Sequence, residues 1–166
     1  MSRIVQKGHP CLRGLAQPVN PDDITDVSIQ KIIEDMHATL AQEEDGVALA
    51  APQIGVSLRI FVVSPKGYSA YTPDKPLVFI NPEIIKHAKK RTVVPEGCLS
   101  VRWWYGKTRR YGQATVRAYN EHGELFEYGG SGLLAQIFQH EIDHLNGILF
   151  DDHAHDLYEL DQDERP

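Results

Sequence analysis

The chain has 166 residues, 42% hydrophobic and 24% charged, with 17 Lys and Arg against 23 Asp and Glu and a net charge of −6. That length suits one domain burying roughly 70% of its unfolded surface, and two cysteines can form at most one bridge, so a disulfide scaffold is excluded and a reducing compartment is expected. No apolar run is long enough to span a bilayer, and the stretch from Met1 to Lys7 lacks an apolar signal region, which favours a cytoplasmic protein without a membrane partner.

The charge is uneven. Seven acids and one base lie from Asp151 onward, leaving 16 of each sign before it. The chain therefore reads as a single domain over 1–166 with an acidic tail, free to move, from about residue 151. Such a tail repels a phosphate backbone, and no basic aromatic patch offsets it, so direct nucleic-acid binding is not expected.

Residues 1–22, punctuated by Pro10, Pro18 and Pro21, read as irregular extended chain in which Cys11 is a small buried hydrophobe. A helix is predicted to start at Thr25–Asp26. Ile29, Ile32, Ile33, Met36 and Leu40 recur on its core face, His37 points outward, and it ends near Glu43–Asp45. The following run, Gly46 to Gly55, is dominated by small residues, which let a backbone approach closely, and Gln53 is its only polar side chain. Two readings stand there: a tight connection with Gln53 at the surface, or a wall close to a ligand. Leu58 to Val63 predicts a strand, 64–76 an exposed loop, and Leu77–Asn81 and Glu83–Lys86 short strands broken by Pro82. Lys86 to Arg91 is a solvated basic turn. Cys98, placed after Gly97, either presents its thiol at a rim or is buried and inert. Ala114–Tyr119 and Glu124–Tyr128 flank Asn120–Gly123 as a hairpin.

The last predicted helix, Leu133 to Leu145, has Ser131 as a candidate N-cap and Asn146–Gly147 as its stop. It carries Gln139-His140-Glu141-Ile142-Asp143-His144. Positions i and i+4 share one helix face about 5–6 Å apart at Cβ, so both imidazoles can reach one metal ion. Glu141 is turned about 100° from His140, where it flanks the ion and can take a proton from a bound water. Chance pairs at this spacing do occur on ordinary helices, so the pattern needs a third ligand. Cys98 supplies one, and a Cys/His/His set suits Zn(II) or Fe(II) with an open position for water.

Three blocks occur in order: Gly46-x-x-x-Ala50-Ala51-x-Gln53, Glu96-Gly97-Cys98-Leu99-Ser100 and His140-Glu141-x-x-His144. Together they resemble the signature motifs of the peptide deformylases. Pro10-x-Leu12-Arg13, Pro18-Val19 and Leu145-x-Gly147-x-Leu149-Phe150 are also similar to that family, so the likeness spans nearly the whole chain. The resemblance implies an α+β fold with antiparallel sheets packed around a central metal-binding helix. It implies removal of the formyl group from the N-terminal methionine of new polypeptides, with release of formate. Cys98, His140 and His144 would hold one divalent ion, Fe(II) by expectation, though such a set also accepts Zn(II), Ni(II) or Co(II). Glu141 would be the general acid/base, and the Gln53 amide and Leu99 N–H would stabilise the oxyanion. Gly46, Val47, Ala48, Val94, Gly97, Leu133, Gln136 and Ile137 would bind the formyl-Met peptide or nascent chain.

The chain departs from the family pattern at several places. Ala48 stands where a second glycine is usual, and Gln136 where an aliphatic residue is usual, so its amide needs a partner. Arg102-Trp103-Trp104-Tyr105 replaces a proline-containing stretch; on a strand the two Trp would face opposite ways, one into the core and one towards the cleft. The acidic tail differs from the basic C-terminal helix that docks some bacterial members on the ribosome, so ribosome docking stays open; a monomer is expected. The rival readings are a related hydrolase with another acyl or first-residue preference, a zincin peptidase, and a non-catalytic binder of N-termini.

Overall fold

In the computed structural model the described residues are 2–68 and 76–165. They form helices α1 (Val27–Leu40) and α2 (Leu133–Leu145) and eight strands: β1 (Ala48–Ala50), β2 (Ile60–Val63), β3 (Leu77–His87), β4 (Arg91–Gly97), β5 (Trp104–Tyr111), β6 (Gln113–Tyr119), β7 (Leu125–Ser131) and β8 (His155–Glu159). One sheet has the order β1-β2-β3-β6-β7 and the other β4-β5-β8, and every pairing is antiparallel. The expected α+β class is observed. Most of the predicted loop over 64–76 lies outside the described residues; its start, Pro65–Gly67, is a 3-10 turn.

The larger sheet lies between the two helices. Ile60 and Val62 of β2 pack towards α1 with Ile33, Met36 and Leu40, while Phe61 and Val63 pack towards α2 with Phe138 and Leu145. Burial on both faces explains why this strand is an unbroken apolar run. Phe61 stacks on Phe79 at 4.6 Å, and Phe138 meets Phe79 edge-on at 5.3 Å, which seats α2 on the sheet.

Several local expectations are corrected. β3 is one strand running through Pro82, because Asn81 takes φ 51° and the register slips between Ile80 and Glu83, a bulge that tolerates the missing N–H. The Asn81 amide replaces the lost ladder by accepting from Val19 N at 2.8 Å and donating to Val19 O at 2.7 Å. His37 is half-buried rather than outward, and burial lowers its pKa. Ser131 ends β7 and Gly132 caps α2, since φ 58° at that position suits a residue without Cβ. Neither tryptophan behaves as expected. Trp103 precedes β5, so strand alternation does not govern it; it is half-buried between Arg102 and Arg165, with guanidinium-to-ring distances of 4.7 and 5.9 Å. Trp104 is 40% exposed.

Strand β5 was anticipated only at its start, where the two Trp were read on a strand; its run to Tyr111 was not. Its inward residues are Gly106, Thr108 and Arg110, so the usual apolar alternation is missing. The acidic tail supplies β8, which pairs with β5 through Trp104–Glu159 and Tyr105–Tyr158.

Candidate metal centre and active cleft

Helix α2 holds His140 and His144 one turn apart on a single face, with ring centroids 4.9 Å apart. Cys98 directly follows β4, which brings its Sγ to 3.2 Å from His144 Nε2. The sulfur and one nitrogen from each ring all lie within 4.8 Å of one another, and no other such trio occurs among the described residues. A cysteine sulfur and two imidazoles converging on one point have the donor chemistry of a Zn(II) or Fe(II) centre. His153 and His155, the ligands a zincin reading would need, are exposed and outside the trio.

Behind the histidines is a buried ion network. His140 Nδ1 donates to Glu96 Oε1 at 2.8 Å, which fixes the tautomer and leaves Nε2 for the trio. Glu96 Oε2 accepts from Thr108 Oγ1 at 2.7 Å and Arg110 Nε at 3.0 Å, and Arg110 reaches on to Asp143 Oδ2 at 2.6 Å. Burial alone would raise the Glu96 carboxyl, yet the bonds from His140 and Arg110 hold it far below the usual carboxylate range. The same balance separates the two histidines. For His140 the lowering effect of burial is overcome by bonds to Cys98 and Glu96, and its pKa rises well above the ordinary value. His144, whose buried Nδ1 has no partner among the described residues, is driven well below it by burial.

Glu141 is 4% exposed and its Oε2 is buried without a partner among the described residues. Burial pushes its carboxyl up to about 7. Gln53, 1% exposed, is not the surface residue of the first sequence reading. Its 3-10 turn, Ala51–Ile54, folds it back so that Oε1 accepts from Ala50 N at 2.8 Å, while Nε2 donates to Ser100 Oγ at 3.2 Å and lies 3.8 Å from Cys98 Sγ. The Leu99 N–H makes no hydrogen bond among the described residues, although Leu99 O accepts from Gln6 Nε2 at 2.9 Å.

These groups open onto a cleft of about 350 Å³. Gly46, Val47 and Ala48 form one wall, Pro95, Gly97 and Leu99 face them, and Leu133, Gln136 and Ile137 of α2 complete the lining. Of the residues predicted to line it, Val94 alone does not; the next three residues of β4, Pro95, Glu96 and Gly97, do. Gly46 is required for space, since a Cβ there would sit 2.8 Å from Glu43 Cβ and 2.9 Å from Leu40 Cδ1. Gln136 finds its partners in Pro95 O at 2.8 Å and Glu96 Oε2 at 3.2 Å. Sequence reasoning missed Thr108, Arg110, Asp143 and Tyr105. Only Asp143, set between the two histidines, carried a local signal.

The comparisons with known proteins agree with this geometry. The family model described as Polypeptide deformylase matches residues 1–159. The peptide deformylase of Pseudothermotoga lettingae is 45% identical over 146 residues, covering 87% of this chain and 78% of its own. The fold is similar to a crystal structure of a peptide deformylase from Legionella pneumophila, with TM-score 0.84 and 40% identity over 94% of this chain and 87% of that one. It is also similar to a Met-Ala-Ser-bound class I type b peptide deformylase from Acinetobacter baumannii, with TM-score 0.82 and 33% identity over 92% and 98%. By sequence and by fold, the chain belongs to the polypeptide deformylase family, metal-dependent hydrolases that remove the N-formyl group from nascent polypeptides.

Proposed function

We propose that Cys98, His140 and His144 hold one divalent ion, that Glu141 moves the catalytic proton, and that Gln53 and Leu99 N–H receive the oxyanion. One observation carries this reading: a sulfur and two imidazole nitrogens within 4.8 Å of one another, beside a buried carboxyl whose Oε2 has no partner among the described residues. When bound, the ion supplies a nucleophile at neutral pH and polarises the formyl carbonyl. Glu141, with its carboxyl near 7, takes a proton and later returns it to the leaving amine. Gln53 is aimed by the Ala50 N–H on its oxygen, which turns its amide nitrogen towards Cys98 and the cleft. Such a donor is typically worth about 3–4 kcal/mol of barrier. Glu96 orients His140, and Arg110 joins Glu96 of β4 to Asp143 of α2.

The substrate is a formyl-Met peptide whose side chain sits among Val47, Leu133 and Ile137, an apolar surface suited to methionine. Fe(II) is the proposed ion; the donor set equally accepts Zn(II), Ni(II) or Co(II). We read 1–166 as one catalytic domain acting as a monomer in the cytoplasm, and no helix among the described residues is long and apolar enough to cross a membrane. Gln136 favours a second reading, an altered first-residue preference, because it sets an amide into an otherwise apolar wall.

The test is anaerobic purification with metal quantification, then formate release from formyl-Met-Ala-Ser, acetyl-Met-Ala-Ser and formylated peptides lacking methionine. Glu141→Gln should keep the metal and lose about 10²- to 10⁴-fold in rate. Full activity in that variant would remove the assigned role. Cys98→Ala should purify without tightly bound metal; unchanged metal content would point to other ligands.

A further inference from the structure

The cleft has an aromatic edge. Tyr105 lines it and is directly paired across the sheet with Tyr158 of β8, so both rings stand on one face. The two rings stack with centroids 6.0 Å apart and an interplanar angle of 27°. Tyr105 is held against Gly97, its partner on β4; a Cβ there would lie 2.6 Å from the Tyr105 ring. Tyr158 is 56% exposed, an unusual position for a large aromatic side chain on a segment otherwise rich in acids. Past a register slip in the β5–β8 pairing is the polar Lys107–Asp156 pair, 2.9 Å apart.

We propose that Tyr105 and Tyr158 form a platform that extends the substrate site beyond the cleft and selects polypeptides with apolar or aromatic side chains downstream of the first three residues. The inference rests on the reading of the cleft as the formyl-Met site. The occupant is the continuation of the substrate itself, because the platform is continuous with the cleft wall through Tyr105. An extended chain advances about 3.3 Å per residue, so the 6.0 Å step from Tyr105 to Tyr158 carries it roughly two residues further. With the first three residues filling the cleft as far as Tyr105, the fourth and fifth are those laid across Tyr158. The acidic tail thereby acquires a function: it places an aromatic ring where the nascent chain leaves the site.

The experiment uses the metal-loaded enzyme and two matched peptides, formyl-Met-Ala-Ser-Gly-Gly and formyl-Met-Ala-Ser-Phe-Phe. The native enzyme should deformylate the pair unequally, favouring Phe-Phe in kcat/KM by roughly 3- to 10-fold, chiefly through KM, the size expected of aromatic contacts. Tyr158→Ala should bring that ratio close to one and Tyr158→Phe should preserve it, with thermal melting confirming that both variants are folded. Equal rates on the two peptides in the native enzyme, or an undiminished ratio in Tyr158→Ala, overturns the platform. Failure to turn over either peptide overturns the deformylase reading of the cleft and the platform with it.

Discussion

Two arginines in this chain each hold a pair of carboxylates, and their settings differ sharply. Arg110 binds Glu96 and Asp143 behind the histidines, with side-chain exposures of 7%, 3% and 23%. Arg102 binds Glu43 and Asp45 at the cleft mouth, where the corresponding values are 19%, 28% and 38%. At the buried Arg110–Glu96 pair water cannot replace a lost partner, so each charge depends on the other. At the mouth, water and salt compete for every group, and the pairs contribute little to stability. The buried network therefore acts as a rigid mount for His140, and the outer one as a frame that joins two walls of the cleft at low energetic cost.

The most severe test of this contrast is Glu96→Ala. It removes the more deeply buried of Arg110's two carboxylate partners, frees the His140 ring, and should cost about 3–5 kcal/mol in denaturant unfolding. A loss below 1 kcal/mol would erase the distinction. Glu96→Gln keeps the shape but weakens the hold on His140, and should lower metal affinity about 10- to 100-fold in chelator competition. Gln136→Leu removes the amide's bonds to Pro95 and Glu96 and should cost about 1 kcal/mol in the same unfolding measurement. Arg102→Ala should cost about 1 kcal/mol or less, and the difference should shrink further in high salt. If that variant proved as damaging as Glu96→Ala, the mouth network would have to be counted as structural.

Much of the site was legible because its signals are local. The His140–His144 spacing, the stop at Asn146–Gly147, the amphipathic α1 and the hairpin turn at Asn120–Gly123 all follow from neighbours a few residues apart. Where reading failed, the deciding partner was distant. Pro82 appeared to break a strand because Val19, which bridges Asn81, lies in another part of the chain. Most of β5 was hidden because its inward Thr108 and Arg110 are polar, and they are buried only because Glu96 and Asp143 arrive to satisfy them. Gln53 could be assigned to the surface or to a wall, since its environment depends on Ser100 and Cys98.

The residue order by itself determined the donor types, the helix that spaces two of them and the carboxyl beside them, because a helix turn relates those positions without help from the rest of the chain. Only the tertiary structure decided that Cys98 closes the trio, that Arg110 steadies Glu96, that Pro95 rather than Val94 faces the cleft, and that the acidic tail returns to set Tyr158 beside Tyr105. These are consequences of strand pairing, in which contact follows from register across the sheet and not from separation along the chain.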